Sequence, residues 1–282
     1  MAALESPYLG RRATLPTLHG KESAISPIFQ SVLGISVEVS KVDTDQFGTF
    51  SGETPRTLSQ FDAAVAKARA AIALTGIPLA IASEGTIGPH PMIPIASSDV
   101  ETLVFIDSER DLIIHETFQS SEIVTARAVV RPGENLDAIL SRADFPTHAM
   151  IVRTEGPAAI SAIKGIRDFE TLEKAIQKLA QDTGSVIVES DLRASSSPSR
   201  MLNIAESARL LAGRILSTCP QCHSPGWGRV APVFGLPCGD CGELVESAVA
   251  ADQLGCVKCD HKRTVPRLDN LAEARFCDSC NP

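Results

Sequence analysis

Apolar and polar positions along the first two-thirds of the chain alternate between short apolar runs and stretches of helical period. Strand-like runs fall at residues 12–17, 35–40, 78–83, 102–107, 112–117, 125–130, 149–153 and 186–189. Helical patterns fall at 21–32, 58–75, 135–142, 169–181 and 199–216. In the second helix Phe61, Val65, Ala68 and Ile72 recur at helical spacing, and Gly76-Ile77-Pro78 ends it. The last helix carries Met201, Ile204, Ala208, Leu211 and Ile215 on one face, with Pro198 just ahead of it as a start signal. This order predicts an α/β fold, a mixed sheet flanked by helices. The periodicity stops at Ser217-Thr218, which divides the chain into an α/β domain at 1–217 and a smaller module at 218–282.

The module is defined by its cysteines. All eight lie in four Cys-x-x-Cys knuckles, Cys219/Cys222, Cys238/Cys241, Cys256/Cys259 and Cys277/Cys280. A two-residue gap turns both thiolates of a knuckle onto one metal, and two knuckles complete the tetrahedral four-thiolate shell of structural zinc. Four knuckles therefore predict two zinc ions, shared in successive, nested or crossed fashion. About 14 to 17 residues separate neighbouring knuckles, and all of these loops suit a ribbon hairpin; successive pairing is the expectation. A closed shell of four thiolates has no position for water, so the zincs are read as structural, supplying folding energy that a tail this small lacks in apolar core. A docking surface for protein or nucleic acid is the alternative, with Lys258, His261, Lys262, Arg263 and Arg267 as a modest basic strip. Trp227 is expected to cover the metal core rather than to stack on a base.

Charge and composition narrow the classes. A formal net charge of −8 argues against broad, charge-driven binding to DNA or membranes. No run approaches the roughly 18 apolar residues of a membrane span. The first twelve residues have no apolar signal core, and residues 1–218 hold no cysteine, so a reducing cytoplasm and metal thiolates are expected rather than disulfides.

Three segments of the first hundred residues carry candidate chemistry. Thr17-Leu18-His19-Gly20-Lys21-Glu22 lies between a strand and a helix, where helix-start N–H groups and a lysine make a phosphate seat. The stretch from Asp43-Thr44-Asp45 to Gly52-Glu53 is a polar loop with oxygen ligands of the kind that suit Mg²⁺. Ser83-Glu84-Gly85 follows an apolar strand, placing a carboxylate where α/β proteins keep their chemistry, and His90, between two prolines, stands in a turn near it. Asp191 with Arg193 is read as a site pair or a local ion pair. His115 and His148 are read as core or edge residues, and Lys164 with Arg167 as an anion site or a solvated basic loop.

The order of these segments resembles the inosine/xanthosine triphosphate pyrophosphatases. The features that carry the resemblance are Thr17-x-x-Gly20-Lys21 before a helix, Lys67-Ala68-Arg69-Ala70-Ala71 on a long helix, Ala82-Ser83-Glu84-Gly85 and, later, Pro198-Ser199-Arg200. The resemblance implies a pyrophosphatase-like fold in which Lys21 contacts phosphate, Lys67 supports the site, Glu84 holds Mg²⁺ or activates water, and Arg200 belongs to the base-binding segment. The chain departs from that pattern at Leu18-His19, where the family has an asparagine, and in its single acidic residue at the Glu84 turn. Nearly the full length also resembles an uncharacterised bacterial family, a domain of unknown function with a double Cys-x-x-Cys tail. Asp43-Thr44-Asp45-x-x-Gly48-Thr49-Phe50, Gly88-Pro89-His90-Pro91 and Pro225-Gly226-Trp227-Gly228 carry that likeness.

The functional expectation is a Mg²⁺-dependent nucleotide or phosphoester hydrolase. Glu84, Asp43 and Asp45 would be its catalytic metal-binding carboxylates, and His19, Lys21, Lys67, His90 and Arg200 its substrate contacts. The alternative is a non-catalytic nucleotide- or RNA-binding protein whose zinc ribbons dock to a partner.

Overall fold

The computed structural model describes residues 6–43, 57–90, 93, 95–155, 161–268 and 270–282. The chain divides into two compact units, a larger one of Tyr8–Asp111 and His115–Ala212 and a smaller one built mainly from Gly213–Pro282.

The larger unit begins with two parallel crossovers. β1 (Arg12–Pro16) leads through α1 (Glu22–Leu33) to β2 (Ser36–Ser40), and α2 (Gln60–Thr75) returns the chain to β3 (Leu79–Pro89) on the other side of β1. β4 (Ser97–Asp107) and β5 (Leu112–Ser120) complete a mixed sheet of order β2-β1-β3-β4-β5. β1 runs parallel to β2 in the register Arg12↔Ser36 and touches β3 in parallel at Thr14↔Ala80. Strand order therefore reverses at β1, which makes the carboxyl end of β1, beside the middle of β3, a topological switch point. α2 starts at an N-cap, Ser59 Oγ accepting from the Asp62 N–H, and buries Ala63, Ala64, Ala68 and Ala71. Those small side chains let it lie close to β3 and β4.

The hairpin of β3 and β4 differs from expectation. β3 does not end at Ser83 but continues to Pro89, paired with β4 from Leu79↔Asp107 through Gly85↔Glu101 to Pro89↔Ser97. The polar Ser83-Glu84-Gly85-Thr86 run thus lies in mid-strand. The turn signal misleads because Glu84 is buried against Lys67 and Ser83 accepts from Lys21, so this polar run sits in a strand.

A second, four-stranded antiparallel sheet has the order β6-β9-β7-β8. It is formed by β6 (Arg127–Val130), β7 (Met150–Arg153), β8 (Ala162–Ile166) and β9 (Val186–Ser190). Between these strands run α3 (Asp137–Arg142) and α4 (Phe169–Leu179), and Leu172, Ile176, Met150, Val152, Val186 and Val188 form their core. Sequence periodicity did not reveal β8, whose Ala-Ile-Lys-Gly-Ile run is too short and mixed to register. α5 (Pro198–Leu216) follows.

The smaller unit is a three-stranded antiparallel sheet, β10 (Gly228–Pro237), β11 (Leu244–Gly255) and β12 (Lys262–Pro266). One apolar cluster in it packs Leu236, Val245 and Ala272 with Cys238 and Cys277, and Ile215, Trp227 and Ala251 are buried as well.

Candidate functional site

The cysteine knuckles sit at the two ends of the β10–β11–β12 sheet. The first precedes β10, which at ten residues carries the chain roughly 30 Å away before the second. β11 returns antiparallel, with Gly228 opposite Gly255, and brings the third knuckle beside the first. β12 turns away again, and the fourth knuckle meets the second. The pairing is therefore crossed, not the expected successive one, which loop lengths did not decide. Cys219, Cys222, Cys256 and Cys259 form one tetrad, and Cys238, Cys241, Cys277 and Cys280 the other. Among the described residues these are the only groups of three or more His, Cys, Asp or Glu ligand atoms gathered closely enough to hold a metal ion.

Their geometry fits a tetrahedral ion. Sulfur separations are 3.8 Å for Cys219–Cys259 and 3.5 Å for Cys222–Cys256 in one tetrad, 3.8 Å for Cys238–Cys280 and 3.6 Å for Cys241–Cys277 in the other. Four sulfurs about 2.3 Å from a central zinc would lie about 3.8 Å apart, whereas a disulfide needs about 2.05 Å. Backbone N–H groups of Gln221 and Lys258 point at Cys219 Sγ and Cys256 Sγ, which favours thiolates. The Ser224 hydroxyl and N–H bring the Cys222 thiol down to about 6. Hydrogen bonds to Cys241 and Cys238 push Cys280 up to about 12. Four crowded sulfurs cannot all ionise alone; a dication at their centre allows it. Trp227 is buried and stacks on His261, with ring centroids 5.1 Å apart. Arg267 pairs with Asp252 at 3.1 Å. Two members of the basic strip are thus taken up within the module itself.

In the larger unit the switch point gathers charge. Lys21, at the start of α1, donates to Ser83 Oγ at 2.8 Å, and the N-cap position of this helix has no side-chain cap. Lys67 reaches from α2 to Glu84 in a buried ion pair. On the opposite face of β3 and β4, Arg200 Nε of α5 donates to Glu101 Oε1 at 2.6 Å and Nη1 to the Leu192 carbonyl at 2.8 Å. Asn203 holds Asp99 Oδ2 at 2.9 Å, and Ser207 holds the Glu101 carbonyl at 3.1 Å. Gly85 is what lets the pair fit: a Cβ there would collide with Glu101 Oε1 and Arg200 Nη2. Of Lys21, Lys67, Glu84, Asp99, Glu101 and Arg200, Lys21 is the most exposed and the others are buried. Burial brings its amine down to about 8, opposed by the Glu101 and Glu84 charges.

A second wall comes from the 193–197 segment. Asp191 is fully buried, accepts the Gly165 N–H at 3.0 Å and pairs with Arg193 at 2.5 Å, so it is a local ion pair. Arg167 Nη2 donates to the Ser195 carbonyl at 3.1 Å. Held in this way, Ser195 faces Gly20, whose ideal Cβ position is 3.9 Å from the Ser195 Cβ.

The other expected site residues are placed differently. His90 lies six residues beyond Glu84 along an extended strand, roughly 20 Å away, and its N–H pairs with the Ala96 carbonyl. It does not join the switch-point cluster, because the presumed turn is strand. His19 is half-buried in the β1–α1 loop and Asp43 is exposed, while Asp45 and Glu53 lie outside the described residues. His115 is exposed against Phe61. Buried His148 bonds Asp144 through Nδ1 and Ser199 Oγ through Nε2, each at 3.0 Å. Its Nε2 also accepts the Ser199 N–H, and Ser199 Oγ accepts the Val124 N–H. This chain ties down the first turn of α5 rather than freeing a nucleophile. Sequence reasoning missed Asp99, Glu101, Asn203 and Ser207; the signal was acids two apart, opposite Gly85.

Fold and site together define an α/β protein with a charged switch point, joined to a ribbon whose two four-cysteine groups could each hold a metal ion. The model of one family, described as a domain of unknown function (DUF6671), matches residues 67–282, and the chain belongs to that family. No curated protein matches it. Among the described residues no helix is long and apolar enough to cross a membrane.

Proposed function

We propose that this chain binds a phosphate-bearing small molecule, of nucleotide type, at the switch point, and that two structural zinc ions hold its ribbon. The observation that carries this reading is the half-buried Lys21, fixed by Ser83 beside the uncapped start of α1 and backed by Lys67 and Arg200. Helix-start N–H groups with a lysine favour an oxyanion. The likeness to triphosphate pyrophosphatases supports the ligand class. Glu84 is held by Lys67, so binding is a better-supported role than Mg²⁺-dependent hydrolysis, which would draw on Asp43 and Asp45.

The test is calorimetry with nucleoside mono-, di- and triphosphates, canonical and deaminated, on the wild type and Lys21→Met. Binding by the wild type and its loss in the variant is the expected result. An anion at Lys21 favours the charged amine, so affinity should rise as pH falls through about 8. A folded, zinc-loaded protein that binds none of the panel would overturn the reading. Phosphate or pyrophosphate release in the same panel with Mg²⁺ would instead establish the hydrolase.

A further inference from the structure

Two carboxylates on β4 do not balance as ordinary anions. Asp99 and Glu101 are fully buried and stand two residues apart on one face of the strand. Glu101 Oε1 is taken by Arg200, and Asp99 Oδ2 by Asn203. Their other oxygens, Asp99 Oδ1 and Glu101 Oε2, have no hydrogen-bond partner among the described residues. Two unpartnered anionic oxygens side by side in a dry interior are strongly unfavourable, and one proton between them satisfies both.

We propose that Asp99 and Glu101 hold one proton between them at neutral pH, and that this proton leaves the switch-point cluster with an excess positive charge for its anionic ligand. The second half of the proposal rests on the reading of Lys21 as the ligand contact. On the two faces of β3 and β4 Lys67 pairs with Glu84 and Arg200 with Glu101, and with Lys21 and Asp99 the six groups cancel if all are ionised and carry a single positive charge if the acids share a proton. The groups around Asp99 are Glu101 on its own strand, Arg200 and Asn203 on α5 and uncharged Ile87 opposite on β3. Lys21 senses the Glu101 and Arg200 charges directly. Burial first, and the Glu101 charge second, push Asp99 up to about 7, against the pull of Asn203 and Arg200. The proton belongs to the pair rather than to either acid.

Infrared titration of the full chain tests the proton. The carbonyl stretch of a buried, protonated carboxyl should be present about one pH unit below 7 and fade above it. It should be missing in Asp99→Asn. In Asn203→Leu, which removes a hydrogen bond that favours the anion, its loss should move to higher pH; this keeps the proposal falsifiable if Asp99→Asn does not fold. Titration with sulfate, an oxyanion that does not itself titrate here, tests the coupling. Wild-type affinity should fall several-fold from about one unit below 7 to just above it, and Asp99→Asn should hold the low-pH affinity throughout. Absence of the band in the wild type, or its persistence in Asp99→Asn, overturns the shared proton. An identical pH dependence of sulfate binding in both proteins overturns the coupling alone. No sulfate binding at all, with the band intact, overturns the Lys21 site and the coupling while the shared proton stands.

Discussion

At Gly85 a hydrogen in place of a side chain makes room for the Arg200 guanidinium against Glu101. In Gly85→Ala the added methyl must displace a buried ion pair rather than a flexible tip. Overpacking of this kind typically costs about 1–3 kcal/mol. A lower urea midpoint at unchanged slope is the expected outcome, and an unchanged midpoint would show that the pair moves freely. Glu84 and Lys67 are subject to a harsher rule, since each is about nine-tenths buried and each removes the need to solvate the other. Glu84→Gln or Lys67→Met alone should lose about 3–5 kcal/mol, because one charge stays buried without its counterion. Replacing both with apolar residues should recover most of the loss in the same denaturation experiment. Loss of activity in Glu84→Gln would therefore report on folding as much as on chemistry, and Lys21 is the cleaner residue to alter. Asp99 sets the pH dependence. Its folded-state titration is raised from 3.8 to about 7, so the folded state binds more protons than the unfolded one between those values. Stability should then fall as pH rises from about 4 to about 7 and level off above. Asp99→Asn should remove that share of the fall in a pH series of thermal melts.

Among the elements, legibility followed the partner that each face meets. β1, α1, α2 and α5 could be read because apolar residues fill most of their buried positions, and β2 because its valines alternate with polar residues, although only Ser40 of that strand is buried. The β3–β4 hairpin was only half legible. Strands seemed to stop at Ser83 and to start at Thr102, yet residues 84–89 and 97–101 pair with each other and bury charge against charge. A single sequence offers no sign of which lysine will cross from α2 to neutralise a mid-strand glutamate. Lys21, Lys67, Glu84 and Arg200 could thus be singled out by motif, while Asp99 and Glu101, lying in presumed loop, could not. The knuckles were legible as ligands but not as partners, because pairing depends on strand length rather than loop length. Crossed pairing predicts an unusual double-variant pattern in zinc content by mass spectrometry. Cys219→Ser with Cys256→Ser should lose one zinc of two, both substitutions falling in one tetrad. Cys219→Ser with Cys238→Ser should lose both. Successive pairing would give the first double variant no zinc and the second one zinc.

On the scale of the whole molecule, the two units draw stability from different sources. The larger has continuous apolar layers, with Leu15, Leu79, Ile81, Leu103 and Phe105 of the first sheet and Phe29 and Leu33 of α1 fully buried, and a separate cluster under the second sheet. In the smaller, the cluster beside the second cysteine group is three aliphatic residues packed with two cysteines, little apolar area to set against the entropy of ordering that end of the chain. Binding free energy of about 10–16 kcal/mol for a structural cysteine-ligated zinc is large enough to supply the difference. A strong chelator should therefore unfold the ribbon and spare the larger unit. Hydrogen exchange resolves this by element. After chelation the amides of β10, β11 and β12 should exchange freely, while those of β1, β3 and β4 keep their protection. The Lys21 site should still bind its anion, since every group placed there belongs to the larger unit. Loss of protection in both units together would show that the metal sites support the whole chain. Retained protection in the ribbon would show that its folding does not depend on metal.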